Sequence, residues 1–400
     1  MAEPNEETLN PLEAAVGLPG IDPSKLTITR AETLKPLPPH NTLVFGQSGS
    51  TDHMLVIEFD PESGWSAPAI KPYAPLSLDP ASSVFHYAPA VFEGMKAHRG
   101  PDGRPRLFRP DMNMARMERS ADRVALPPFD GKALLELIRK LVAVEDRWIP
   151  SMPGYALYIR PTYIGTRPAI GVQASTHGMI FVICSSTGPY FPTGFKPITL
   201  MANSDYVRAW PGGTGEFKLA LNYSPCFKPQ MHAAKNGYQQ ILWLLGEERK
   251  VTEVGQMNFF IVLKRADGDL DLITPALDGT ILPGVTRDSI LALGRTHTPN
   301  PSSCSSLSTT NQIIPKIYTH EKSFTMPEFI SYLNDGTLLE AFGCGTASIL
   351  CPVSKIGYEG KDLVLPVYEE GVGPVSKALW QRMVDIQEGR RESEWSVLCE

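Results

Sequence analysis

The chain has 400 residues, 42% of them hydrophobic and 20% charged: enough for about two or three domains, and too apolar to be disordered throughout. Its net charge of −6 gives no global nucleic-acid footprint. No apolar run reaches the roughly 20 residues that span a bilayer. The first 14 residues hold four glutamates and no Lys or Arg, unlike a signal or transit peptide, so the expected location is cytoplasmic. The six cysteines are scattered without a C-x-x-C pair, which argues for reduced thiols and against a zinc site.

Residues 1–40 are Pro-rich and read as an irregular N-terminal arm. Strand-like text follows at Met54–Phe59, then at Ala97–Phe108, broken by a turn at Arg99-Gly100-Pro101-Asp102-Gly103. Lys132–Arg147 is predicted helical, because Leu134, Leu137, Ile138, Leu141 and Val142 fall on one face. Tyr155–Arg160 and Met179–Cys184 read as strands. Residues 188–197, opening Gly188-Pro189-Tyr190-Phe191-Pro192-Thr193-Gly194, read as a linker between a small α/β domain (41–187) and a large domain (198–400). In the second half, strands are expected at Ile198–Met201, Gln240–Leu245, Asn258–Leu263, Leu270–Thr274 and Ser348–Val353. Helices are expected at Ser224–Asn236, Thr286–Gly294 and Pro374–Gln387. The Ser/Thr/Pro-rich stretch 296–312 reads as an exposed insert. The pattern predicts mixed α+β and α/β layers in two domains around a cleft.

Four segments carry chemistry. Pro211-Gly212-Gly213-Thr214-Gly215-Glu216-Phe217-Lys218 places one lysine just after a glycine-rich turn, without the spacing of a phosphate-binding loop. Val251-Thr252-Glu253-Val254-Gly255-Gln256 sets a lone carboxylate before an apolar strand. Ile281-Leu282-Pro283-Gly284-Val285-Thr286 enters a helix whose first N–H groups suit a phosphate. Phe342-Gly343-Cys344-Gly345-Thr346-Ala347 reads as a tight turn with further N–H groups. Taken singly, each also fits a surface turn, a solvated strand end or an ordinary helix start.

Together they resemble the branched-chain amino acid aminotransferases, pyridoxal-phosphate enzymes of fold type IV. The resemblance runs from about Leu43 to the C-terminus. It includes Thr51-Asp52-His53-Met54-Leu55, Phe92-Glu93-Gly94-Met95-Lys96-Ala97, Leu107-Phe108-Arg109-Pro110, Tyr158-Ile159-Arg160-Pro161 and Tyr206-Val207-Arg208-Ala209-Trp210, in the family's order. It implies a two-domain fold type IV transferase with pyridoxal 5'-phosphate in the inter-domain cleft. The large domain would carry the Schiff-base lysine.

By this resemblance Lys218 bonds the cofactor as a Schiff base and then moves the substrate's α-proton, which requires its neutral amine. Glu253 would keep the pyridine nitrogen protonated, Tyr223 would hydrogen-bond the ring oxygen, and Leu282 would pack on the ring. Arg116, the N–H groups of Val285 and Thr286, and Thr346 would hold the phosphate. Arg109 and Arg119 read as structural ion-pair formers. Tyr87, Phe92, Tyr158, Ile170, Val172 and Tyr190 would wall an apolar substrate pocket; Tyr87, Ile170 and Val172 would come from a neighbouring subunit, which implies a homodimer. Arg160 would take the distal carboxylate of glutamate or 2-oxoglutarate, and the Ala347 N–H the α-carboxylate.

Two departures touch the pocket. Ser50 stands where the family has a phenylalanine, with one extra residue in Phe45–Met54, and Gln256 replaces a common threonine. The family's animal members carry a redox cysteine pair where this chain has Ser348 and Cys351, so thiol switching is not expected there. The expected activity is exchange of leucine, isoleucine or valine with 2-oxoglutarate. The alternatives are a transaminase for a bulkier hydrophobic acid and an inactive cofactor-binding scaffold; the presence of Lys218, Glu253 and Tyr223 together argues against the latter.

Overall fold

The computed structural model describes residues 17–46, 49–190 and 194–399. Most of the expected N-terminal arm's first half, Gln47 and Ser48, and linker residues Phe191–Thr193 lie outside the described residues. The chain forms two compact units: Met1–Thr187 with Phe217–Leu221 and Glu394–Glu400, and Gly188–Glu216 with Asn222–Ser393. The second half of the chain is therefore not one block. Lys218, expected in the large domain, belongs to the first unit, and so does the C-terminus.

The first unit is built on a ten-stranded sheet. Its strands are β1 (Thr27–Ile28), β2 (His53–Asp60), β3 (Gly64–Trp65), β4 (Ala69–Pro72), β5 (Ala90–Phe92), β6 (Met95–Arg99), β7 (Pro105–Phe108), β8 (Ala156–Gly165), β9 (Gly178–Thr187) and β19 (Ser396–Leu398). They run in the order β1-β4-β2-β9-β8-β6-β7-β19, with β3 on β2 and β5 on β8. Helices α1 (Ser83–Tyr87), α2 (Pro110–Arg123) and α3 (Gly131–Val144) belong to this unit. Helix α3 starts where Asp130 accepts hydrogen bonds from the N–H groups of Lys132 and Ala133, and it buries the predicted stripe of Leu134, Leu137, Ile138, Leu141 and Val142. Helix α2 was not apparent from its sequence; it presents Met114, Met117 and Ala121 to the same core.

Residues 27–35 are docked, not free. Strand β1 pairs with β4, the Ala31 N–H donates to His53 Nε2 (2.9 Å), and the Lys35 N–H donates to Asp52 (2.8 Å). Asp52 is 3% exposed and also accepts from Trp148 Nε1 (2.7 Å) and Arg147 Nε (3.0 Å). Burial works against its charge, but the Lys35, Trp148 and Arg147 donors outweigh it and hold the carboxyl below the usual aspartate range. A depressed folded value means that its stabilisation is present above the unfolded value of 3.8 and fades as pH falls through the folded one. Asp52→Asn, which loses acceptor capacity, is therefore expected to cost about 2 kcal/mol at pH 7. The gap from wild type should narrow below pH ~3 in urea melts; an equal gap at both pH values would contradict this.

The second unit carries a nine-stranded sheet. It contains β10 (Ile198–Asn203), β11 (Gln240–Leu245), β12 (Lys250–Val254), β13 (Met257–Lys264), β14 (Leu270–Thr274), β15 (Ile317–Glu321), β16 (Leu338–Gly345), β17 (Ile349–Tyr358) and β18 (Lys361–Val364). Pairing runs β12-β11-β10-β17-β16-β13, and β12 also pairs β13, so these strands close on themselves like a small barrel. Its interior holds Leu200, Leu242, Val254, Phe259, Ile261 and Ile356 among others. Helices α4 (Phe227–Lys235), α5 (Val285–Thr296), α6 (Met326–Asn334) and α7 (Pro374–Gln387) complete this unit.

Two expectations change here. Phe342–Gly345 is strand, not turn: it sits between β13 and β17, with Phe342 opposite both Phe260 and Pro352. Residues 296–312 are not simply exposed. His297 is 5% exposed, takes the Leu307 N–H on Nδ1 (3.0 Å) and donates from Nε2 to the Ile314 carbonyl (3.1 Å), which pulls Ser306 and Leu307 inward.

Candidate active site

In the first unit, β8 alternates between a buried face with Leu157, Ile159 and Tyr163 and a half-buried face with Tyr158, Arg160 and Thr162. Lys96 on β6 is the cross-strand partner of Tyr158, and Phe92 on β5 that of Thr162, so both join the second face. The Arg160 guanidinium lies 4.9 Å from the centre of the Phe92 ring and 5.3 Å from that of Tyr158, and Nη2 donates to the Tyr158 hydroxyl (3.1 Å). Gly94 leaves the room this needs: a Cβ there would come within 2.2 Å of the Tyr158 oxygen.

Lys218 reaches the same face. Its backbone is pinned on both sides, the N–H donating to Ser120 Oγ (2.9 Å) and the carbonyl accepting from the Phe92 N–H (3.2 Å). The half-buried side chain carries Nζ 4.7 Å from the Phe92 ring centre. A primary amine and a guanidinium thus share one aromatic ring, beside a second aromatic wall.

Arg116 on α2 is 8% exposed and lies against Glu93, which is fully buried. Its Nε and Nη2 donate to the two carboxylate oxygens (2.7 and 2.8 Å), and Asn113 Nδ2 donates to one of them (2.8 Å). That bidentate pairing fixes the guanidinium plane. The Arg109 and Arg119 guanidinium groups lie over the rings of Trp395 (4.5 Å) and Phe217 (5.6 Å).

Tyr87, Ile170 and Val172 are exposed on this unit. They are 41%, 70% and 83% exposed, and the Tyr87 hydroxyl donates to the Ile170 carbonyl. Ser50 is half-buried. The ring set edge-on against Tyr158 is that of Phe45, at 5.1 Å, so an aromatic group reaches this wall from five residues upstream of Ser50.

In the second unit, Glu253 lies near the end of β12, just ahead of the apolar strand β13. It is 2% exposed and ion-paired with Arg208 at 2.6 Å; Arg208 is equally enclosed. Asn258, its partner on β13, donates from Nδ2 to Glu253 (3.2 Å) and to the Leu282 carbonyl (2.8 Å). Asn258 also explains Gly284, because a Cβ there would stand 2.1 Å from its amide oxygen. Gly284 starts α5 without a capping side chain, which leaves the first-turn N–H groups of Val285 and Thr286 for another acceptor. Asn258 pairs across the sheet with Cys344, and Thr346 and Ala347 follow, half-buried, at the end of β16. One amide therefore links the buried carboxylate, the Leu282 turn and the α5 N-terminus.

The glycine-rich turn is held closed in this unit. Thr214 Oγ1 donates to Asn222 Oδ1 (2.7 Å) and Asn222 Nδ2 to the Thr214 carbonyl (2.8 Å). A Cβ on Gly215 would meet Ala209 Cβ and the Thr280 carbonyl at 2.4 Å. Tyr223 follows half-buried, and Tyr190 is 42% exposed. The exposed Gln256 occupies the loop between β12 and β13. Ser348 Oγ meets Met257 Sδ at 3.6 Å, and burial pushes the Cys351 thiol up to about 12, which leaves it inert as a nucleophile.

The donor set matches a phosphorylated pyridine. A buried carboxylate with its own cation suits a ring N–H, and an uncapped helix start with a nearby threonine suits a phosphate. Sequence reading gave no role to Glu93, Ser120, Arg208 or Asn258. The available signal was a charged or amide residue inside an apolar run, as in Val91-Phe92-Glu93-Gly94-Met95 and Tyr206-Val207-Arg208-Ala209-Trp210.

Residues 90–356 match the family described as Amino-transferase class IV. The chain is 46% identical to the mitochondrial branched-chain-amino-acid aminotransferase of Schizosaccharomyces pombe, over 94% of this chain and 85% of that protein. It is also 46% identical to the cytosolic one of Saccharomyces cerevisiae, over 94% and 97%. Its fold is similar to that of a branched-chain amino acid aminotransferase from T.th. solved with pyridoxamine 5'-phosphate, with a TM-score of 0.65 and 22% identity over 88% of this chain and 99% of that one.

Proposed function

The chain belongs to the class IV aminotransferases, and from that premise we propose that it exchanges the amino group of leucine, isoleucine or valine with 2-oxoglutarate, giving branched-chain 2-oxo acids and glutamate. Its cofactor is pyridoxal 5'-phosphate. The observation that carries the reading is the face on which Lys218 and Arg160 share the Phe92 ring beside Tyr158. Aromatic walls accept an aliphatic side chain by excluding water, and a guanidinium accepts a carboxylate in the same space.

The cofactor, when bound, supplies an electron sink at the substrate's α-carbon and carries the amino group between half-reactions. Glu253, fixed by Arg208 and Asn258, would hold the proton on the ring nitrogen of the bound cofactor. The N–H groups of Val285 and Thr286, with Thr346, would hold the phosphate; in the first unit, Glu93 fixes the plane of the Arg116 guanidinium. Leu282 would pack on the ring, and Tyr223 would hydrogen-bond its oxygen. Lys218 Nζ would take the proton from the α-carbon of the amino donor and, in the second half-reaction, supply one to the α-carbon derived from the oxo acid; its pinned backbone limits the arc through which Nζ swings. The Ala347 N–H would receive the α-carboxylate.

Arg160 sorts the two substrates. In Arg160→Met, kcat/KM for 2-oxoglutarate is expected to fall about 100-fold and that for leucine less than about threefold. Equal losses on both would contradict the assignment. The homodimer proposal draws on the exposed Tyr87, Ile170 and Val172, which suit burial against a second copy and entry into its pocket. No helix of the described residues is long and apolar enough to cross a membrane. The proposed location is the cytoplasm.

A further inference from the structure

We propose that Lys96 is a second determinant of substrate choice, its ammonium sharing with Arg160 the reception of a dicarboxylate substrate's distal carboxylate. The inference rests on the transaminase reading and deepens it.

Three observations support it. First, β6 and β8 pair Lys96 directly with Tyr158, and Arg160 lies two residues further along β8, so both cations emerge on one face with Tyr158 beside each. Second, Lys96 Nζ is held against the aromatic wall, 5.9 Å from the centre of the Phe45 ring, which itself sits edge-on to Tyr158 at 5.1 Å. Third, Lys96 is half-buried, and burial pushes its ammonium down to about 8.

A partly desolvated cation gains more from an arriving carboxylate than a surface lysine does, because water competes less for it. An aliphatic side chain brings no anion and gains nothing from the charge. Lys96 thus raises the affinity for glutamate and 2-oxoglutarate over that for branched-chain acids. A lysine that only fills space would affect both classes alike through its methylene stem.

The test is calorimetric binding of two non-reacting analogues, glutarate and isocaproate, to the holoenzyme. In Lys96→Met, which keeps the stem and removes the charge, the ratio of glutarate to isocaproate affinity is expected to fall about tenfold. Lys96→Arg should recover the ratio to within about threefold. Lys96→Gln, read in the same way, serves if the methionine variant does not fold. A ratio that stays at the wild-type value in the neutral variants overturns the inference alone. A wild-type enzyme that binds isocaproate but not glutarate overturns the dicarboxylate reading, and the inference with it.

Discussion

Lys218→Ala is expected to lower kcat for leucine by about four orders of magnitude while leaving the melting temperature close to wild type. Catalytic loss follows from removing the amine placed over Phe92. Retained stability follows from the anchoring of this segment through its backbone: Lys218 is held by Ser120 and Phe92 through its N–H and carbonyl, and Leu219 bridges Val91. None of these bonds needs the lysine side chain. Steady-state kinetics with leucine and 2-oxoglutarate, together with a thermal melt, measure both parts. A loss below about tenfold would mean that another group moves the proton.

The second large effect concerns the Arg208–Glu253 pair, whose side chains are 4% and 2% exposed. Removing one partner of a buried ion pair strands the other, at a cost of about 3–5 kcal/mol. Arg208→Met is expected to lose that much stability. Glu253→Gln should lose a similar amount and also reduce kcat by about 10²–10³-fold, since an amide does not hold the ring nitrogen's proton as a carboxylate does. The double variant is the informative one: it leaves no stranded charge, so stability should largely return while kcat stays low. Denaturant melts and initial rates on the three proteins separate packing from chemistry. Recovery of kcat in the double variant would remove Glu253 from the reaction.

Much of this was legible in the sequence. Gln240–Leu245 and Leu270–Thr274 coincide with β11 and β14; β11 was legible because a strand buried on both faces reads as continuous apolar text. Lys218, Glu253 and the Gly284 helix start were marked by motif. What the sequence hid was long-range pairing. The Glu93–Arg116 pair spans 23 residues, and that separation gives no local signal. Residues Phe342–Gly345 looked like a turn because of their glycines, yet Gly343 is a strand position whose missing side chain leaves room for Met257: a Cβ there would come within 2.9 Å of its methyl carbon. Ser50 stands where the family has a phenylalanine, while Phe45, five residues upstream, sets a ring against Tyr158. Nor does chain order reveal that Phe217–Leu221 leaves the second unit for the first.

The decisive measurement is the visible absorption spectrum of the purified holoenzyme, taken alone, after leucine and then after 2-oxoglutarate, beside the Lys218→Ala variant. The reading predicts a band from bound pyridoxal phosphate that leucine bleaches and 2-oxoglutarate restores in the wild type, with no such cycle in the variant. A wild-type band that persists unchanged in leucine would contradict it.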